Sequence, residues 1–267
     1  MILQQSVPLG VAVLSWWHAL VLGVVEGVTE FLPVSSTAHL ILASRVLHLT
    51  ETEFLKSFQI IIQLGAILSV VVLYWSRFWN IEVLKKLIVA FIPTGIIGLT
   101  VYKPLKTVLL GNVYVVLAAL LIGGIALVLF ERFSNRVDSD PDFSEISYKK
   151  ALLIGLFQAI AIIPGVSRSA ATIVGGSLIG VSKRTIVEFS FMLAVPTMAA
   201  ATGYELLKEY RNLSTDFTPL AIGFVVSFVV AIAAIKSFLA FLKKKAFSVF
   251  GAYRIVLAVA FYFIFLR

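Results

Sequence analysis

Long apolar runs alternate with short polar and charged segments along most of this chain. Six of the runs are long enough to cross the hydrocarbon core of a bilayer as helices, which takes about 20 residues. They lie at about 56–75, 84–102, 112–131, 184–206, 218–241 and 248–266. The runs are continuous and do not alternate between apolar and polar residues, so they favour helices over the strands of a membrane barrel. The pattern predicts an all-α polytopic membrane protein with six transmembrane helices.

Two further apolar regions, near 12–48 and 150–181, are interrupted. Each contains two pieces of roughly 14–18 residues, separated by Pro33 or Pro164 and by Ser, Thr and Gly residues. Interrupted hydrophobic segments at matching positions in two halves are typical of re-entrant hairpins around a binding site. Irregular backbone at that depth must line a polar cavity or be covered by protein. The sequence therefore predicts two re-entrant helical hairpins in addition to the six spans.

The order of these elements predicts two inverted-topology repeats. Each half contains one hairpin, which returns the chain to its starting side, and three spans, so each half crosses the membrane an odd number of times. We place repeat one at about 10–131, repeat two at about 150–266 and a cytoplasmic connector at about 132–149, within one integral membrane domain of 1–267. In this arrangement the two hairpin tips can meet near the midplane.

Composition and charge agree with a membrane protein. The chain is 60% hydrophobic and 13% charged, with a mean hydropathy of +1.02, whereas soluble proteins average roughly 25% charged residues. The net charge of +8 comes from basic residues in separate loops, so a nucleic-acid partner is not expected. One set of predicted loops holds twelve Lys and Arg residues and the opposite set six. The positive-inside rule places the richer set in the cytoplasm, and the first hairpin then opens outward.

Two carboxylates lie inside the first hairpin. Glu26 and Glu30 are four residues apart and so share one helix face. Ionisable groups at membrane depth are functional or paired. The pair can supply oxygen ligands to a divalent cation, or one carboxylate can transfer a proton. The alternative is a structural pair at a wet interface, bonded to nearby Ser, Thr or Arg residues. The chain has no cysteine, which excludes a thiol nucleophile and a cysteine metal site.

Hydroxyl groups and an imidazole follow the carboxylates. Ser35, Ser36 and Thr37 come after Pro33 and before an apolar helical run, so at least one is expected to cap that helix. The start of a helix also favours phosphate binding, because its N–H groups are free and its dipole is positive there. A hydroxyl at this position can act as a nucleophile if a base is near. His39 is a candidate base or nucleophile, and the alternative is a purely structural histidine.

The second hairpin contributes a guanidinium instead. Arg168 lies between Ser167 and Ser169, again just after a proline. A guanidinium fork matches the oxygens of a phosphate, and neighbouring hydroxyls can complete the site. The alternative is that Arg168 pairs with Glu26 or Glu30 and neutralises a buried charge. If the hairpin tips meet, the two segments form one composite site.

Other polar residues on the predicted spans are weaker candidates, because such residues more often form interhelical hydrogen bonds. These are Gln59, Gln63, Glu188 and Ser190. Lys236 and Arg254 are expected to snorkel or to pair near the ends of spans.

The hairpin segments also resemble a known family. The segment from Glu26 to His39 resembles the first signature of the undecaprenyl-diphosphate phosphatases, also called bacitracin resistance proteins. The segment from Pro164 to Thr172 resembles the second, and the segments Gln63–Gly65 and Glu188–Pro196 are similar as well. The resemblance runs essentially from end to end. One departure is Ala38, where many members have glycine, and this change affects backbone freedom but no reactive group.

This resemblance implies a phosphatase that converts undecaprenyl diphosphate to undecaprenyl phosphate and inorganic phosphate, recycling the carrier lipid for peptidoglycan synthesis. It implies bacitracin resistance, a divalent cation (Mg²⁺ or Ca²⁺), and a multi-pass protein of the bacterial inner membrane with an outward-facing site. Carried over by position, the catalytic residues are His39, Ser36, Glu30, Glu26 and Arg168, with Glu26 and Glu30 as the metal ligands. The phosphate-binding residues are Ser35, Thr37, Ser167, Arg168, Ser169 and Thr172.

Several questions stay open at this point. The nucleophile can be Ser36, His39 or water. An alternative function is a lipid-phosphate transporter or flippase that uses the same anion site, because inverted repeats with two hairpins are a transporter architecture. The expected partners are the polyprenyl diphosphate and membrane lipids, and a homodimer is left open.

Overall fold

The computed structural model describes residues 14–108, 112–133, 141–209, 217–243 and 246–267. The predicted start of repeat one at 10–13 and the connector residues 134–140 lie outside these ranges. Within them the chain forms helices and no β-strand. The helices are α1 Trp16–Thr29, α2 Ser36–Val46, α3 Glu53–Leu73, α4 Trp75–Phe78, α5 Ile81–Val108, α6 Val113–Phe133, α7 Tyr148–Ala159, α8 Arg168–Leu178, α9 Lys183–Glu209, α10 Phe217–Leu242 and α11 Ser248–Phe265.

Among the described residues, six helices are long and apolar enough to span a membrane, which confirms the six predicted spans. These segments are Glu53–Leu73, Ile81–Val101, Val113–Glu131, Lys183–Tyr204, Phe217–Leu242 and Ser248–Phe265. Large apolar side chains such as Ile122 and Val256 are exposed on their outer faces. Exposed apolar surface on this scale requires a lipid environment. The chain is therefore a multi-pass helical membrane protein.

The two interrupted regions form helical hairpins. Residues 30–35 join α1 to α2, and a 3₁₀ turn at Ile160–Ile162 followed by residues 163–167 joins α7 to α8. Helices α2 and α8 have 11 residues each, so each is about 16 Å long, roughly half of the ~30 Å hydrocarbon core. Helices this short cannot cross a bilayer. Their re-entrant placement and the inversion of the second repeat stay predictions.

Packing between the helices follows a twofold pattern. Helix α10 packs against α1 and α3, and α5 packs against α7 and α9. Helix α3 also contacts α9, and α6 contacts α11. Exchanging α1 with α7, α3 with α9, α5 with α10 and α6 with α11 leaves this set of contacts unchanged. Each hairpin therefore packs against a long helix of the other half of the chain.

Small residues set how closely the first hairpin approaches α10. A Cβ atom on Gly27 would lie 2.7 Å from the carbonyl oxygen of Ser227, and one on Gly23 would lie 2.9 Å from that of Gly223. The Ser227 hydroxyl donates to the Ile62 carbonyl of α3 at 2.7 Å. Close contact through glycine and serine is typical of membrane helices. It fixes α1, and with it the carboxylates at its end, against α3 and α10.

An aromatic cluster lies beneath the first hairpin turn. Phe31 is fully buried, and its ring meets that of Phe191 edge to face with centroids 5.5 Å apart. Phe191 also contacts Phe238 at 6.0 Å. Edge-to-face aromatic pairs stabilise a core beyond the area that they bury. Because Phe31 directly follows Glu30, this packing holds the end of α1 in place.

Ion pairs and hydrogen bonds join the two halves next to the connector. The ammonium of Lys183 lies 2.7 Å from the Glu131 carboxylate, and both groups are largely buried. The same carboxylate accepts the backbone N–H of Phe247 at 3.0 Å. Glu145, in the described part of the connector, accepts the N–H of Ser182 at 2.8 Å. These contacts anchor the starts of α9 and α11 to the end of α6.

Candidate active site

The two hairpin turns have the same unusual backbone at one serine each. Ser35 has φ 74° and ψ 94°, and Ser167 has φ 74° and ψ 113°. A residue other than glycine in this left-handed region costs about 1–3 kcal/mol, and such strain clusters at functional sites. The Ser35 hydroxyl accepts the N–H of Ala38 at 3.4 Å, and the Ser167 hydroxyl accepts that of Ala170 at 3.2 Å. Each serine therefore caps the helix that follows it, which confirms the predicted N-cap.

One carboxylate connects the two hairpins. Ser36, the first residue of α2, donates its hydroxyl proton to one oxygen of Glu30 in a short hydrogen bond. Arg168, the first residue of α8, donates from Nη2 to the other oxygen of Glu30 at 3.1 Å. The side chains of Arg168 and Glu30 are only 12% and 4% exposed. Hydroxyl, carboxylate and guanidinium thus meet between the hairpins, and Arg168 forms the ion pair that was the alternative to its phosphate role.

The Arg168 side chain is oriented by α9. Its Nη1 donates to the Ser190 carbonyl at 2.6 Å, and the Ser190 hydroxyl lies 2.6 Å from that of Thr172. Its Nε lies buried without a hydrogen-bond partner among the described residues. A guanidinium has five N–H donors in a fixed plane. Arg168 is therefore held rigidly, with one guanidinium donor that no described residue uses.

Glu26 is the residue that tests whether a cation fits this site. It is fully buried, and neither of its carboxylate oxygens has a hydrogen-bond partner among the described residues. Glu30 continues the same helix and donates its N–H to the Glu26 carbonyl at 2.9 Å. A buried carboxylate without a partner is costly, so it needs a proton or a cation.

The donor set limits what kind of cation site this is. The described residues contain no group of three or more His, Cys, Asp or Glu side chains arranged to hold a metal. Two carboxylates are nevertheless enough for Mg²⁺ when substrate phosphates and water supply the remaining ligands. Glu26 and Glu30 fit a divalent ion whose other ligands come from the substrate and from water. Their role as metal ligands stays a prediction.

The hydrogen bonds of His39 direct it away from the Ser36 hydroxyl. Its Nδ1 lies 2.7 Å from the Ser35 carbonyl oxygen, and its Nε2 lies 2.8 Å from the hydroxyl of Tyr253 on α11. The two rings stack with centroids 5.6 Å apart. Because a carbonyl only accepts, Nδ1 carries the proton and Nε2 of the neutral ring accepts from Tyr253. In this structure Glu30, and not His39, is the group that accepts from Ser36.

A cavity of about 480 Å³ adjoins the carboxylate. Its polar end is formed by the hairpin tips and its other end by apolar residues of α5 and α9. The wall includes Glu30, Ser35, Ser36, Thr37, Gln63, Phe91, Thr94, Gly95, Gly98, Leu99, Gln158, Ile162, Ser167, Arg168, Thr197, Met198, Ala200, Ala201 and Tyr204. The space therefore suits a molecule with one anionic end and one apolar end.

Four of the predicted site residues do not line this cavity: Glu26, His39, Ser169 and Thr172. The hydroxyl of Ser169 donates to the Phe31 carbonyl at 2.9 Å and so ties the start of α8 to the first turn. The hydroxyl of Thr172 bonds the Arg168 carbonyl at 3.0 Å. Ser169 thus joins the two tips, whereas Thr172 bonds only within α8 and to Ser190 of α9, and the phosphate-binding role of both stays a prediction.

Arg254 was expected to snorkel or to pair near a span end, and that expectation is wrong. It is fully buried, and its guanidinium donates to carbonyl oxygens of both hairpin turns and of α6. These are Pro33 at 3.4 Å, Val166 at 3.1 Å, Gly165 and Ala119 at 2.9 Å, and Leu120 at 3.3 Å. Irregular turns inside the membrane leave backbone carbonyls without hydrogen bonds, and the guanidinium of Arg254 donates to them. The signal in the sequence was a lone arginine within the apolar run that begins at 248.

Gln158 is a residue to which no role was assigned from the sequence. Its amide nitrogen donates to the hydroxyls of Thr94 at 2.9 Å and Thr197 at 3.1 Å. Its amide oxygen is buried without a hydrogen-bond partner among the residues described. Of the weaker candidates, Gln63 lines the cavity and Ser190 orients Arg168, as noted above. Two of the weaker candidates therefore belong to the site.

The fold and the site define a multi-pass helical membrane protein in which two hairpins bring a hydroxyl, a carboxylate and a guanidinium together. The chain belongs to the bacitracin resistance protein BacA family, whose profile matches residues 19–260.

Similar proteins cover nearly the same length. A protein of Aquifex aeolicus named undecaprenyl-diphosphatase is 48% identical over 247 residues, which are 92% of this chain and 96% of that protein. Its namesake in Bdellovibrio bacteriovorus is 49% identical over 249 residues, 91% of this chain and 94% of its own. One from Campylobacter jejuni subsp. jejuni is 46% identical over 252 residues, with coverages of 93% and 94%.

Proposed function

We propose that this protein hydrolyses undecaprenyl diphosphate to undecaprenyl phosphate and inorganic phosphate. The reaction recycles the lipid carrier of peptidoglycan synthesis, and it confers bacitracin resistance by removing the lipid to which the antibiotic binds. Family membership and the names of the relatives support the activity. The observation that carries the mechanism is the Glu30 carboxylate, which accepts from the Ser36 hydroxyl and pairs with Arg168 at the polar end of the cavity.

The diphosphate head binds between the hairpin tips. The helices α2 and α8 begin there, and their free N–H groups and positive dipole ends favour a phosphate. Arg168 lines the cavity and supplies its guanidinium to the phosphate oxygens. Such fixed donors act by stabilising the charge that develops during phosphoryl transfer. Ser35, Thr37 and Ser167 lie on the same wall and contribute hydroxyl groups.

Ser36 is the nucleophile in this proposal and Glu30 is its base. The Ser36 oxygen forms a bond to the terminal phosphorus as its proton passes to Glu30, and the bond from that phosphorus to the bridging oxygen breaks. Undecaprenyl phosphate leaves with the bridging oxygen. Water then attacks the phosphoserine, Ser36 recovers a proton, and inorganic phosphate is released. His39, bonded to Tyr253, orients the first turn of α2.

Glu26 and Glu30 are the residues that would hold Mg²⁺ or Ca²⁺. When bound, the ion would neutralise phosphate oxygens as a Lewis acid. We also propose that the site opens to the periplasmic side of the inner membrane, as the loop charges indicate. All the residues named lie in one chain, so the proposal does not require the homodimer that was left open.

Purified protein in detergent micelles tests the activity directly. We expect phosphate release from undecaprenyl diphosphate with Mg²⁺ or Ca²⁺, and a phosphoserine at residue 36 after rapid quenching and mass analysis. Both routes place one water oxygen in the released phosphate, so the phosphoserine, and not ¹⁸O incorporation, distinguishes them. If phosphate is released and Ser36 is never phosphorylated, direct attack by water replaces the covalent route.

The twofold packing pattern favours a second candidate, lipid-phosphate transport, because paired hairpins in repeated halves are typical of transporters. Micelles have no two sides, so phosphate release there scores hydrolysis alone. Protein that releases no phosphate in micelles but moves prenyl phosphate across vesicle membranes would establish the transporter and exclude the phosphatase.

A further inference from the structure

Gln158, near the end of α7, places a buried amide on the wall of the cavity. Its side chain is only 1% exposed. Thr94 of α5 and Thr197 of α9 flank it, and all three residues line the same space as Ser36 and Glu30. The mechanism proposed above gives this amide no role, although it shares the cavity with the reacting groups.

The hydrogen bonds of the two threonines fix the direction in which the amide points. The Thr94 hydroxyl donates its proton to the Gly155 carbonyl at 3.1 Å, and the Thr197 hydroxyl donates to the Leu193 carbonyl at 2.8 Å. Each hydroxyl has only one proton, so toward Gln158 both can only accept. The amide nitrogen therefore faces the two threonines, at 2.9 and 3.1 Å, and the amide oxygen points away from them.

Helix packing holds this amide in place. A Cβ atom on Gly155 would collide with the carbonyl of Ala90, so α7 and α5 meet backbone to backbone about one turn before Gln158. Such close contact through glycine is typical of membrane helices. The amide oxygen is thus a fixed group on the cavity wall and not the end of a mobile side chain.

The amide oxygen of Gln158 requires a hydrogen-bond donor from outside the described residues. It is buried, and none of those residues donates to it. A buried acceptor without a donor is costly. The prenyl chain has no polar atom, and ionised phosphate oxygens are acceptors themselves. Water is the donor that hydrolysis brings to this cavity, and a neutral amide can bind it beside an anion without the repulsion that a carboxylate would add.

The geometry of phosphoryl transfer places the attacking water on the side of Gln158. The attacking and leaving oxygens lie roughly in line with the phosphorus. When the phosphoserine is hydrolysed, the leaving oxygen is that of Ser36, so water attacks from the opposite side. Ser36 lies at the hairpin tips, whereas Gln158 is held by α5 and α9, which form the other end of the cavity.

We propose that the Gln158 amide oxygen binds and orients the water that hydrolyses the phosphoserine. The role rests on the proposed phosphatase function. The water oxygen forms a bond to phosphorus, the bond from phosphorus to the Ser36 oxygen breaks, and Glu30 returns its proton to that oxygen. One water proton stays on the released phosphate, and the other passes to solvent. Thr94 and Thr197 are positioning residues, because they act through the amide.

Competition between water and methanol tests the proposal. Gln158→Met nearly keeps the length of the side chain and removes the amide oxygen. Purified protein in micelles hydrolyses undecaprenyl diphosphate at a fixed concentration of methanol, and inorganic phosphate and methyl phosphate are both measured. Loss of one hydrogen bond to the attacking water should raise the ratio of methyl phosphate to phosphate about fivefold. Because both products come from one protein sample, loss of folded protein cancels in this ratio.

The phosphoserine provides a second measurement. Gln158→Met leaves Ser36 and Glu30 in place, so the phosphoserine should form at a near-normal rate while its hydrolysis slows by roughly tenfold or more. The fraction of Ser36 that is phosphorylated at steady state, measured after rapid quenching, should therefore rise. General damage to the site would slow both steps and would leave this fraction unchanged.

Gln59→Met is the matched control. Gln59 lies on α3 and not on the cavity wall, and its amide nitrogen donates to the Ser44 hydroxyl at 3.4 Å. Its product ratio and phosphorylated fraction are expected to equal those of the unmodified protein. Thr197→Val removes one hydroxyl that holds the amide but keeps the amide oxygen, so its product ratio should lie between those of the unmodified protein and Gln158→Met.

An equal product ratio in Gln158→Met and in the unmodified protein, including no methyl phosphate from either, would overturn the role of Gln158. If inhibition by inorganic phosphate weakens in that variant while the ratio stays equal, the amide oxygen binds the hydroxyl of the product and not the attacking water. Unmodified protein that releases no phosphate in micelles would contradict the phosphatase proposal itself.

Discussion

The two hairpins share one backbone and carry different chemistry. Each residue of the first corresponds to the residue 132 positions later, so that Ser35 matches Ser167 and Ser36 matches Arg168. Both capping serines have φ 74°, and both following helices have 11 residues. Position 1 of the helix thus carries a hydroxyl in one copy and a guanidinium in the other. The same turn backbone therefore places the Ser36 hydroxyl and the Arg168 guanidinium against the Glu30 carboxylate.

The remaining differences follow the same division. Glu30 corresponds to Ile162 and His39 to Ala171, while Glu26 corresponds to Gln158. The acid groups therefore occur only in the first hairpin, and the second contributes its cation through the 3.1 Å pair between Arg168 and Glu30. The comparison shows that the fold requires the capping serines in both copies, whereas the site requires each reactive group once.

Removal of the Ser36 hydroxyl should have the largest effect. If Ser36 is the nucleophile, Ser36→Ala lowers kcat/KM by about 10³-fold or more, because the covalent route is lost. Phosphate release from undecaprenyl diphosphate in micelles measures the rate, and the mass of a quenched sample reports the phosphoserine.

Ser57→Ala is the control for that change. Ser57 is buried on α3, and its hydroxyl has no hydrogen-bond partner among the described residues. This variant should keep near-normal turnover. If the Ser36→Ala protein is as active as the Ser57→Ala protein, Ser36 is not the nucleophile. The proposed difference between Ser36 at the start of α2 and Arg168 at the start of α8 is then contradicted.

Arg254 supports both turns, so its replacement should disturb both hairpins. Arg254→Lys keeps the charge but offers three donors in place of five to the carbonyls of Pro33, Gly165, Val166 and α6. Each carbonyl left unpaired costs about 1–3 kcal/mol. We expect the unfolding temperature in detergent to fall by several degrees and turnover to fall with it. Arg45→Lys, at an exposed position on α2, should unfold like the original protein. Equal unfolding temperatures for the two variants would contradict this role of Arg254.

Glu26→Gln gives the first hairpin the residue that the second has at the corresponding position, Gln158. The change replaces a carboxylate by an amide. The change removes one proposed ligand, so the divalent-ion concentration needed for half-maximal activity should rise by about tenfold or more. Titration of activity with Mg²⁺ after chelation measures it. An unchanged requirement would remove Glu26 from the metal site.

The reverse change, Gln158→Glu, adds a negative charge to the wall of the cavity proposed to receive the diphosphate. It should raise KM for the diphosphate through like-charge repulsion and leave the ion requirement unaltered. A lowered KM would mean that this end of the cavity binds a cation.

The spans could be predicted from sequence because apolar length is a strong local signal. The six predicted segments agree with the six spanning helices to within a few residues, and Pro33 and Pro164 mark the two breaks. The pairing of Arg168 with Glu26 or Glu30 was the stated alternative to phosphate binding, because a buried charge requires a partner, and the structure shows it with Glu30. These conclusions depend on residue type and spacing alone.

Contacts that depend on tertiary packing could not be predicted from the sequence. Sequence suggested His39 as the neighbour of the reactive hydroxyl, but Glu30 accepts from Ser36, and His39 binds Tyr253, 214 residues away. Arg254 looked like an ordinary residue near a helix end until the turns of both hairpins were seen to converge on it. Partners far apart in sequence leave no periodic pattern to read.

The smallest effect is expected at Tyr253. Tyr253→Phe keeps the stacked ring and removes one hydrogen bond to His39, which is worth about 1 kcal/mol, or roughly a fivefold change in kcat/KM. The pH profile of kcat/KM should also shift, because Nε2 of His39 loses its donor. An identical profile would leave Tyr253 with a packing role only.

The cluster of carbonyls around Arg254 also orders the assembly of the protein in the cell. Arg254 lies on α11, which is synthesised after both hairpins and after α6. An arginine at the centre of a membrane helix costs about 2.5–3.5 kcal/mol to insert, and its carbonyl partners exist only once the earlier helices have packed. The turn carbonyls bonded by Arg254 are therefore satisfied only late in synthesis, when α11 docks. A partly made chain has the Arg168–Glu30 and Ser169–Phe31 contacts between the hairpins but lacks the arginine that satisfies the carbonyls of both turns.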